Sequence, residues 1–296
     1  MGHSRPVNQQ RFYLPAHFGV HRKTVRQVRT MKLDLTGVEE TLLVSLRGRA
    51  KFSQENPSIL NDTKAIELVE QLDYDFARLD KSLGVLGNLI FAAITKHIDD
   101  KIRAYIAEHP KASVIDLGAG LDTTYYRIDN GSIHWYDLDL PAVVDLRRRL
   151  IPETSRSTCI AKSLLDPSWL DGIIDTENGV FMVAAGVLVF FQESHIKSFF
   201  SWLADSLPGG QIVFNTQSRL AKLGSNWGLR RLRMTATQWA LKDARAITKW
   251  DNRIKVLDQF PLFKDIPRDP AWGSSVKRFM NLSDSNGMMN VVHLQI

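Results

Sequence analysis

From residue 111 onward, short β-type runs alternate with helical patterns, and this alternation limits the possible folds more than any other feature of the chain. Strands that alternate with helices form a parallel sheet with helices on both faces. The sequence therefore predicts an α/β fold with a doubly wound, mostly parallel sheet of seven strands. The predicted strands are residues 113–117, 133–137, 158–161, 179–184, 211–215, 253–257 and 290–294.

The predicted helices follow from apolar spacing. Between the fourth and fifth strands, apolar residues from Ile196 to Leu207 form one helical stripe, which ends at Pro208-Gly209-Gly210. A second helix should begin at Pro141, because proline is favoured at the first helical position. The first part of the chain shows helical patterns and no strand, with helices expected around residues 38–46, 61–76 and 83–106.

These patterns predict one domain over residues 1–296, since no linker or repeat divides the chain. Its expected parts are an N-terminal helical layer, a cofactor-binding core, a helical insertion after the fifth strand that covers the substrate, and the last strands. They correspond to residues 1–110, 111–216, 217–250 and 251–296.

Composition narrows the classes of protein. The chain has a formal net charge of +6 and one cysteine, Cys159, which excludes an internal disulfide framework and favours a reducing cytoplasm. Its apolar neighbours predict a buried, unreactive thiol. The longest apolar run, residues 179–191, is too short to span a bilayer, so we expect no membrane contact. Two basic segments, residues 21–32 and 219–249, lack a known nucleic-acid-binding motif, so a nucleic-acid partner is not expected.

A glycine loop follows the first predicted strand, in the sequence Asp-Leu-Gly-Ala-Gly-Leu-Asp-Thr of residues 116–123. Gly118 and Gly120 allow unusual backbone angles and a close approach of a ligand to the main chain. A dinucleotide-binding loop would carry a third glycine where Thr123 stands. Asp122 precedes that position, and its carboxylate would repel a pyrophosphate but tolerate a sulfonium. The loop therefore favours S-adenosylmethionine over a dinucleotide.

Two acids at the end of the second strand strengthen this interpretation. Asp137 and Asp139 follow Gly118 at the spacing at which an acid hydrogen-bonds the ribose of a nucleoside. The alternative is a helix-capping role, because Asp139 precedes Leu140 and Pro141. We expect one of the two acids to bind ribose and favour Asp139.

The glycine loop, with Tyr126-Arg127 behind it, and residues 135–141 resemble the leucine carboxyl methyltransferase family. The likeness is greatest to its polyketide-type (tetracenomycin-methyltransferase-like) O-methyltransferase branch. It extends from about Val38 to the chain end and includes Arg49-Ala50, Asn61-Asp62, residues 73–76 and residues 247–257. The resemblance implies a Rossmann-like methyltransferase sheet, S-adenosylmethionine as cofactor, and methyl transfer to a carboxylate or hydroxyl oxygen.

The resemblance also implies roles for individual residues. Arg49 would approach the methionine carboxylate, and Asp139 would bind the ribose. The loop residues Gly118, Ala119, Gly120 and Asp122 would line the methionine and ribose portions of the cofactor. Three positions depart from the family: Ser163-Leu164 replaces its Asp-Leu beside the adenine, Ala185-Gly186 replaces its Glu-Gly or Glu-Cys, and Phe190 replaces its Tyr.

The acceptor stays open at this point. A carboxylate arrives ionised, whereas an alcohol or phenol usually needs a base, often a histidine. None of the eight histidines stands in a recognisable motif, so no catalytic residue is assigned. Clustered metal ligands are also absent from the sequence, and we expect no metal. In the insertion, Trp227, Trp239 and several arginines could hold an extended or aromatic acid, or the tryptophans could anchor the helices.

Three functions remain possible. They are an O-methyltransferase acting on a small secondary metabolite, a carboxyl methyltransferase acting on a peptide or protein, and a non-catalytic protein that binds the cofactor. The sequence leaves the oligomeric state undetermined.

Overall fold

A computed structural model describes residues 1–2, 38–231 and 234–296 of the chain. The predicted basic segment at residues 21–32 and Arg233 lie outside the described residues, and the side chain of Arg231 is not described.

The centre of the fold is one seven-stranded sheet, which confirms the predicted α/β class. The strands run in the spatial order β3-β2-β1-β4-β5-β7-β6. Neighbours among β1 to β5 are parallel, and β7 is antiparallel to both β5 and β6. The strands are β1 Ser113–Leu117, β2 His134–Asp139, β3 Ser157–Ala161, β4 Val180–Ala184, β5 Gln211–Gln217, β6 Lys255–Pro261 and β7 Met289–Gln295.

The sixth strand begins and ends later than the predicted residues 253–257. It lies at one edge of the sheet and, among the described strands, pairs with β7 alone, so its outer side need not be apolar. Pairing continues through the polar residues Asp258 and Gln259 to Pro261, which faces Asn290. The predicted apolar run therefore marked only the first part of the strand.

Eight α-helices lie in the described residues. The long helix between β4 and β5 buries Ile196, Phe199, Phe200 and Leu203, which confirms the predicted stripe. The helix after β2 begins at Pro141, as predicted. The helices are α1 Val38–Glu55, α2 Thr63–Gln71, α3 Ala77–Glu108, α4 Thr124–Ile128, α5 Pro141–Leu150, α6 Glu193–Ser206, α7 Arg219–Arg231 and α8 Gly273–Asn286.

Two helix boundaries in the N-terminal layer differ from the prediction. Helix α2 is shorter than residues 61–76, because the Asp62 carboxylate accepts a hydrogen bond from Ala65 N at 3.0 Å and so caps its start, and the chain becomes extended at Leu72. Helix α3 begins before residue 83 and kinks at Gly84, which has φ 54° and ψ −165°.

Each face of the sheet carries its own core. Helices α3 and α8 cover one face, where Leu89, Ile98 and Met280 pack against Val114 and Val213 of the strands. Helix α6 covers the other face.

A third cluster joins the N-terminal layer to the glycine loop and α5. Leu43 and Leu46 of α1 and Leu68 of α2 pack with Leu121 of the glycine loop and Leu146 of α5. The helical layer therefore lies directly against the glycine loop.

The predicted helical insertion is helical only in its first half. After α7, residues 234–243 contain no helix, and a 3₁₀ turn follows at Ala244–Lys249. Side chains of β5 and α7 hold this segment, since Gln217 Nε2 donates to Thr237 Oγ1 at 2.9 Å and Thr237 N donates to Asn226 Oδ1 at 2.7 Å. Further along, Leu241 N donates to Gln217 O at 2.8 Å. The segment is thus bound to the carboxyl end of β5.

None of the helices in the described ranges combines the length and the apolar character that a membrane crossing requires.

Candidate active site

The glycine loop connects β1 to α4 and turns at two glycines with positive φ, 73° at Gly118 and 49° at Gly120. A side chain at position 118 would place its Cβ 2.5 Å from Val187 Cγ2, so the close approach of the β4 end also requires glycine there. Two backbone amides of the loop are already hydrogen-bonded within the protein. Gly118 N and Ala119 N donate to Leu138 O at 2.7 and 3.1 Å. These two amides are therefore not available to a pyrophosphate, which agrees with the sequence argument against a dinucleotide.

The two acids of β2 have different surroundings. The Asp139 carboxylate is half-buried and accepts from Gly120 N at 2.8 Å and from Leu140 N at 2.7 Å. Asp137 is buried, accepts from the indole of Trp135 at 2.8 Å and pairs with Arg147 at 2.8 Å. Asp137 is thus committed to a buried ion pair, whereas Asp139 stands at the loop with solvent-facing surface. This difference favours Asp139 as the ribose ligand.

Arg147 is a further buried cation of the site. Its guanidinium pairs with Asp137 and also donates to Gly120 O at 3.1 Å and to Asp122 O at 2.7 Å. These bonds hold the carbonyl side of the glycine loop. In the sequence, Arg147 is one of three consecutive arginines, residues 147–149. Only the spacing of the apolar residues of α5 indicates that Arg147 faces inward, so the sequence gave no clear signal for its role.

Arg49 reaches the glycine loop from α1. Its guanidinium donates to Leu121 O at 2.9 Å and to Asp62 Oδ2 at 3.2 Å, and its Nη1 lies 3.8 Å from Asp122 Oδ2. Asp122 Oδ1 accepts from Thr124 N at 2.6 Å. Burial opposes the ionised form of Asp122, but Arg49 and Arg127 outweigh it and hold the pKa of this carboxyl below its usual value.

Asp62 connects the helical layer to the glycine loop. Its buried carboxylate accepts from Thr123 Oγ1 at 2.8 and 2.7 Å and from Arg127 Nη1 at 2.7 Å, in addition to Arg49. Arg127 also pairs with Asp99 of α3 at 2.8 Å. The Thr123 hydroxyl, at the position where a dinucleotide-binding loop has glycine, therefore links the glycine loop to Asp62.

Asp116, at the end of β1, is a candidate that the sequence interpretation missed. It is 2% exposed, and its Oδ2 has no hydrogen-bond partner among the described residues. Burial, together with the nearby Asp122 and Asp137, raises the pKa of Asp116 well above its usual value. A buried carboxylate oxygen without a partner is costly, and a cationic ligand at the loop would stabilise its ionised form. Its place two residues before Gly118 was the available signal.

The carboxyl end of β4 is apolar. Residues 185–191 contain no titratable side chain, and Gly186, at φ 70°, donates its N–H to Asn215 Oδ1 at 2.6 Å. At the end of β3, half-buried Ser163 accepts from Leu165 N at 3.2 Å, and Leu164 is buried. Ser163, Leu164, Ala185 and Gly186 thus follow strands whose carboxyl ends lie at the same edge of the sheet as the glycine loop.

The contacts of the site given above include none made by Cys159, His134 or His195. Cys159 is half-buried rather than buried as predicted, because it lies in β3 next to the sheet edge, and burial raises the pKa of its thiol to about 11. His195 is exposed on α6, and His134 lies 3.1 Å from Asp175. Among the described residues, no group of three His, Cys, Asp or Glu side chains is arranged to hold a metal ion.

Trp239 and Trp227 of the insertion differ in burial. Trp239 is 2% exposed and packs against Phe214 and Trp250, with ring centroids 6.1 and 6.3 Å away, so it anchors the insertion to the sheet. Trp227 on α7 is 62% exposed. Arg230 is exposed as well. The segment is also bonded to the turn after β4, since Gln238 N and Trp239 N donate to Val189 O at 2.8 and 3.1 Å.

Comparison with solved structures supports the fold. A DUF574-family protein from Streptomyces avermitilis superimposes with a TM-score of 0.56 and 15% identity, over 77% of this chain and 94% of that one. A protein from Thermobifida fusca described as a methyltransferase gives a TM-score of 0.53 with 16% identity, over 74% and 86% of the two chains.

Comparison of sequences identifies the family. A family model described as leucine carboxyl methyltransferase matches residues 43–204, more than half of the chain. The tetracenomycin polyketide synthesis O-methyltransferase TcmP of Streptomyces glaucescens is 30% identical over 245 residues, which cover 73% of this chain and 90% of that protein. The S-adenosyl-L-methionine-dependent methyltransferase dpfgK of Gibberella zeae is 26% identical over 263 residues, covering 82% and 88%.

The sheet topology, the glycine loop and these relatives define an S-adenosylmethionine-dependent methyltransferase. Within that class, the chain belongs to the leucine carboxyl methyltransferase family, as the sequence motifs predicted.

Proposed function

We propose that this methyltransferase is an O-methyltransferase that esterifies a carboxylate of a small secondary metabolite. The observation that carries the proposal is the apolar carboxyl end of β4, where residues 185–191 offer no group that could accept a proton. An acceptor that arrives ionised needs no base, whereas a hydroxyl usually does. TcmP, an O-methyltransferase of polyketide synthesis, and the family name both support transfer to oxygen.

The proposed cofactor site combines charge and backbone shape. S-adenosylmethionine supplies an electrophilic methyl group on a sulfonium. Asp116 would balance the cationic part of the molecule, Arg49 would hold its carboxylate, and Asp139 would hold its ribose. The other proposed contacts are those made by Gly118, Ala119, Gly120, Asp122, Ser163, Leu164, Ala185 and Gly186, with Asp137 positioning the loop through Arg147.

The products distinguish the acceptor oxygen. The enzyme would be incubated with S-adenosylmethionine carrying a labelled methyl group and a panel of small carboxylic acids and phenols. A methyl ester releases volatile methanol in alkali, whereas a methyl ether does not. We expect base-labile product, and kcat/KM independent of pH above the acid's own pKa. Base-stable product, or transfer to phenols alone, would contradict a carboxylate acceptor.

The cofactor site is tested separately by calorimetry with S-adenosylhomocysteine in the presence of a chelator, which also checks the expectation of metal-free binding. Asp139→Ala should weaken binding by about tenfold to a hundredfold, since a lost hydrogen bond to a charged group costs roughly 1.5–3 kcal/mol. Asp137→Ala should mainly lower stability, because it leaves Arg147 buried and unpaired. The assignment fails if Asp139→Ala binds as tightly as the native protein.

The domain organisation is part of the same proposal. We infer that residues 1–296 act as one domain, in which the helical layer supports the cofactor loop through Leu121 and Asp62. Residues 217–250 would cover the acceptor side, because Gln238 and Trp239 are bonded to the turn after β4. Arg230→Ala would then reduce turnover without changing cofactor affinity or Tm. Unchanged turnover would indicate that Arg230 is a solvent-exposed surface residue without a role in turnover.

A further inference from the structure

A cavity of about 690 Å³ lies where the chain leaves β5 at the carboxyl edge of the sheet. The insertion forms one wall and the end of α8 another, and Ser218 N joins them by donating to Met288 O at 2.7 Å. Its volume is within the range of small-molecule sites, about 300–1,000 Å³. The described residues that line it include none of the proposed cofactor ligands.

The walls of this cavity are mainly apolar and partly aromatic. Half-buried Trp250 and Met288 and the exposed Leu282 line it, and the buried Trp239 lies next to Trp250 with ring centroids 6.3 Å apart. Leu220 at its mouth is 67% exposed. Concave aromatic surface of this kind binds flat, apolar molecules.

The charges at the mouth are unbalanced in favour of cations. Glu193 pairs with Lys197 at 3.0 Å, and Asp243 pairs with Arg245 at 2.6 Å. The two cations among the lining residues, Arg219 and Lys242, are exposed and form no ion pair with any described residue. An anionic group on the ligand would find two cations there, and the Arg219 guanidinium can bind a carboxylate with two parallel hydrogen bonds.

We propose that this cavity binds a planar aromatic acid, with the rings against the apolar walls and the carboxylate at Arg219 and Lys242. The site is distinct from the cofactor loop, and the proposal requires neither methyl transfer nor a particular acceptor oxygen. A ligand bound there would lie against the segment of the insertion that is hydrogen-bonded to Val189, in the turn after β4.

The test uses 2-naphthoate as the probe and its neutral isostere 2-naphthamide, with binding to the full chain measured by calorimetry. The charge variant is Arg219→Gln with Lys242→Gln. Its matched control is Lys277→Gln with Arg278→Gln on α8, two cations that pair with no described residue. Ala246→Trp fills the cavity from its lining.

We expect 2-naphthoate to bind, with the charge variant weakening it by about tenfold while 2-naphthamide changes less than about twofold. The control should leave both affinities unchanged, and Ala246→Trp should abolish both. Absence of naphthoate binding, or equal losses in the charge variant and its control, would overturn the proposal. S-adenosylhomocysteine binding by the same samples verifies the fold. Naphthoate binding then reports on this cavity and S-adenosylhomocysteine binding on the proposed methyltransferase site, so the failure of one can be distinguished from the failure of the other.

Discussion

Replacing Asp62 by Asn tests how strongly the contacts between the helical layer and the glycine loop stabilise the fold. The carboxylate is fully buried and lies 3.2 Å from Arg49 Nε and 2.7 Å from Arg127 Nη1. The amide keeps one oxygen, which can still cap α2, but it presents an N–H₂ group or a weaker acceptor to two guanidinium groups. Breaking a buried pair by removing one partner costs about 3–5 kcal/mol.

The surroundings of Asp62 place the expected cost at the lower end of that range. Arg127 keeps its pair with Asp99 at 2.8 Å, and Arg49 keeps Asp122 at 3.8 Å and its bond to Leu121 O. Neither arginine is left without a nearby acceptor. We therefore expect a loss of about 3 kcal/mol in the free energy of unfolding, which corresponds to a fall in Tm of about 5 °C for a chain of this size.

Scanning calorimetry and urea unfolding measure this loss. Asp80→Asn is the matched control, because Asp80 pairs with Arg47 at 2.7 Å but both side chains are partly exposed, at 26% and 17%. Partly exposed pairs contribute about 0.2–1 kcal/mol, and the two parallel bonds from Arg47 place this pair at the upper end of that range. The reasoning is refuted if Asp62→Asn lowers Tm by no more than Asp80→Asn does.

Two further predictions concern the loop and the sheet. Gly118→Ala should reduce cofactor affinity by more than tenfold, because it adds both strain at a positive φ and a clash with Val187. Gly131→Ala is the control, since Gly131 has φ 82° but no atom within 4 Å of an added Cβ. It should leave the affinity unchanged in the same calorimetric titration. Equal effects would contradict the clash. Burial lowers the pKa of His293 to about 4, below its value in the unfolded chain. The contribution of neutral His293 to the free energy of unfolding is therefore fully present above about pH 6.5. It is lost as the pH falls toward 4, which lowers the free energy of unfolding by about 3 kcal/mol. His293→Phe should flatten the unfolding free energy over that range, and an unchanged slope would show that His293 does not titrate as argued.

The sequence predicted most of the sheet because strands such as β1 and β4 are short, fully buried and mainly apolar runs between turn residues. It could not predict the kink of α3, since Gly84 inside a helical pattern is compatible with a straight helix. It also missed the non-helical residues 234–243 of the insertion. These residues are held by side chains distant in sequence, such as Gln217 on Thr237, and no local pattern reports such contacts.

The same distinction applies to the site. Glycines with positive φ and acids at fixed spacing are local signals, so Gly118, Gly120 and Asp139 could be proposed from the chain alone. The burial of Asp116 and its lack of a partner depend on the packing of three strands and α5, and only the structure reveals them. Asp137 and Asp139 were inseparable by spacing, and the buried Arg147 distinguishes them.

Because Asp62 of the helical layer holds Thr123 of the glycine loop, the binding of a cofactor to this loop would be thermodynamically linked to the folding of the N-terminal helices. A cofactor that binds only the ordered loop adds about 2.7 kcal/mol at a concentration one hundred times its Kd. Much of that free energy should appear in α1 and α2, as slower amide hydrogen exchange far from the ligand itself. A chain shortened to the sheet and its own helices would then lose cofactor affinity although it keeps every glycine and β2 acid of the loop.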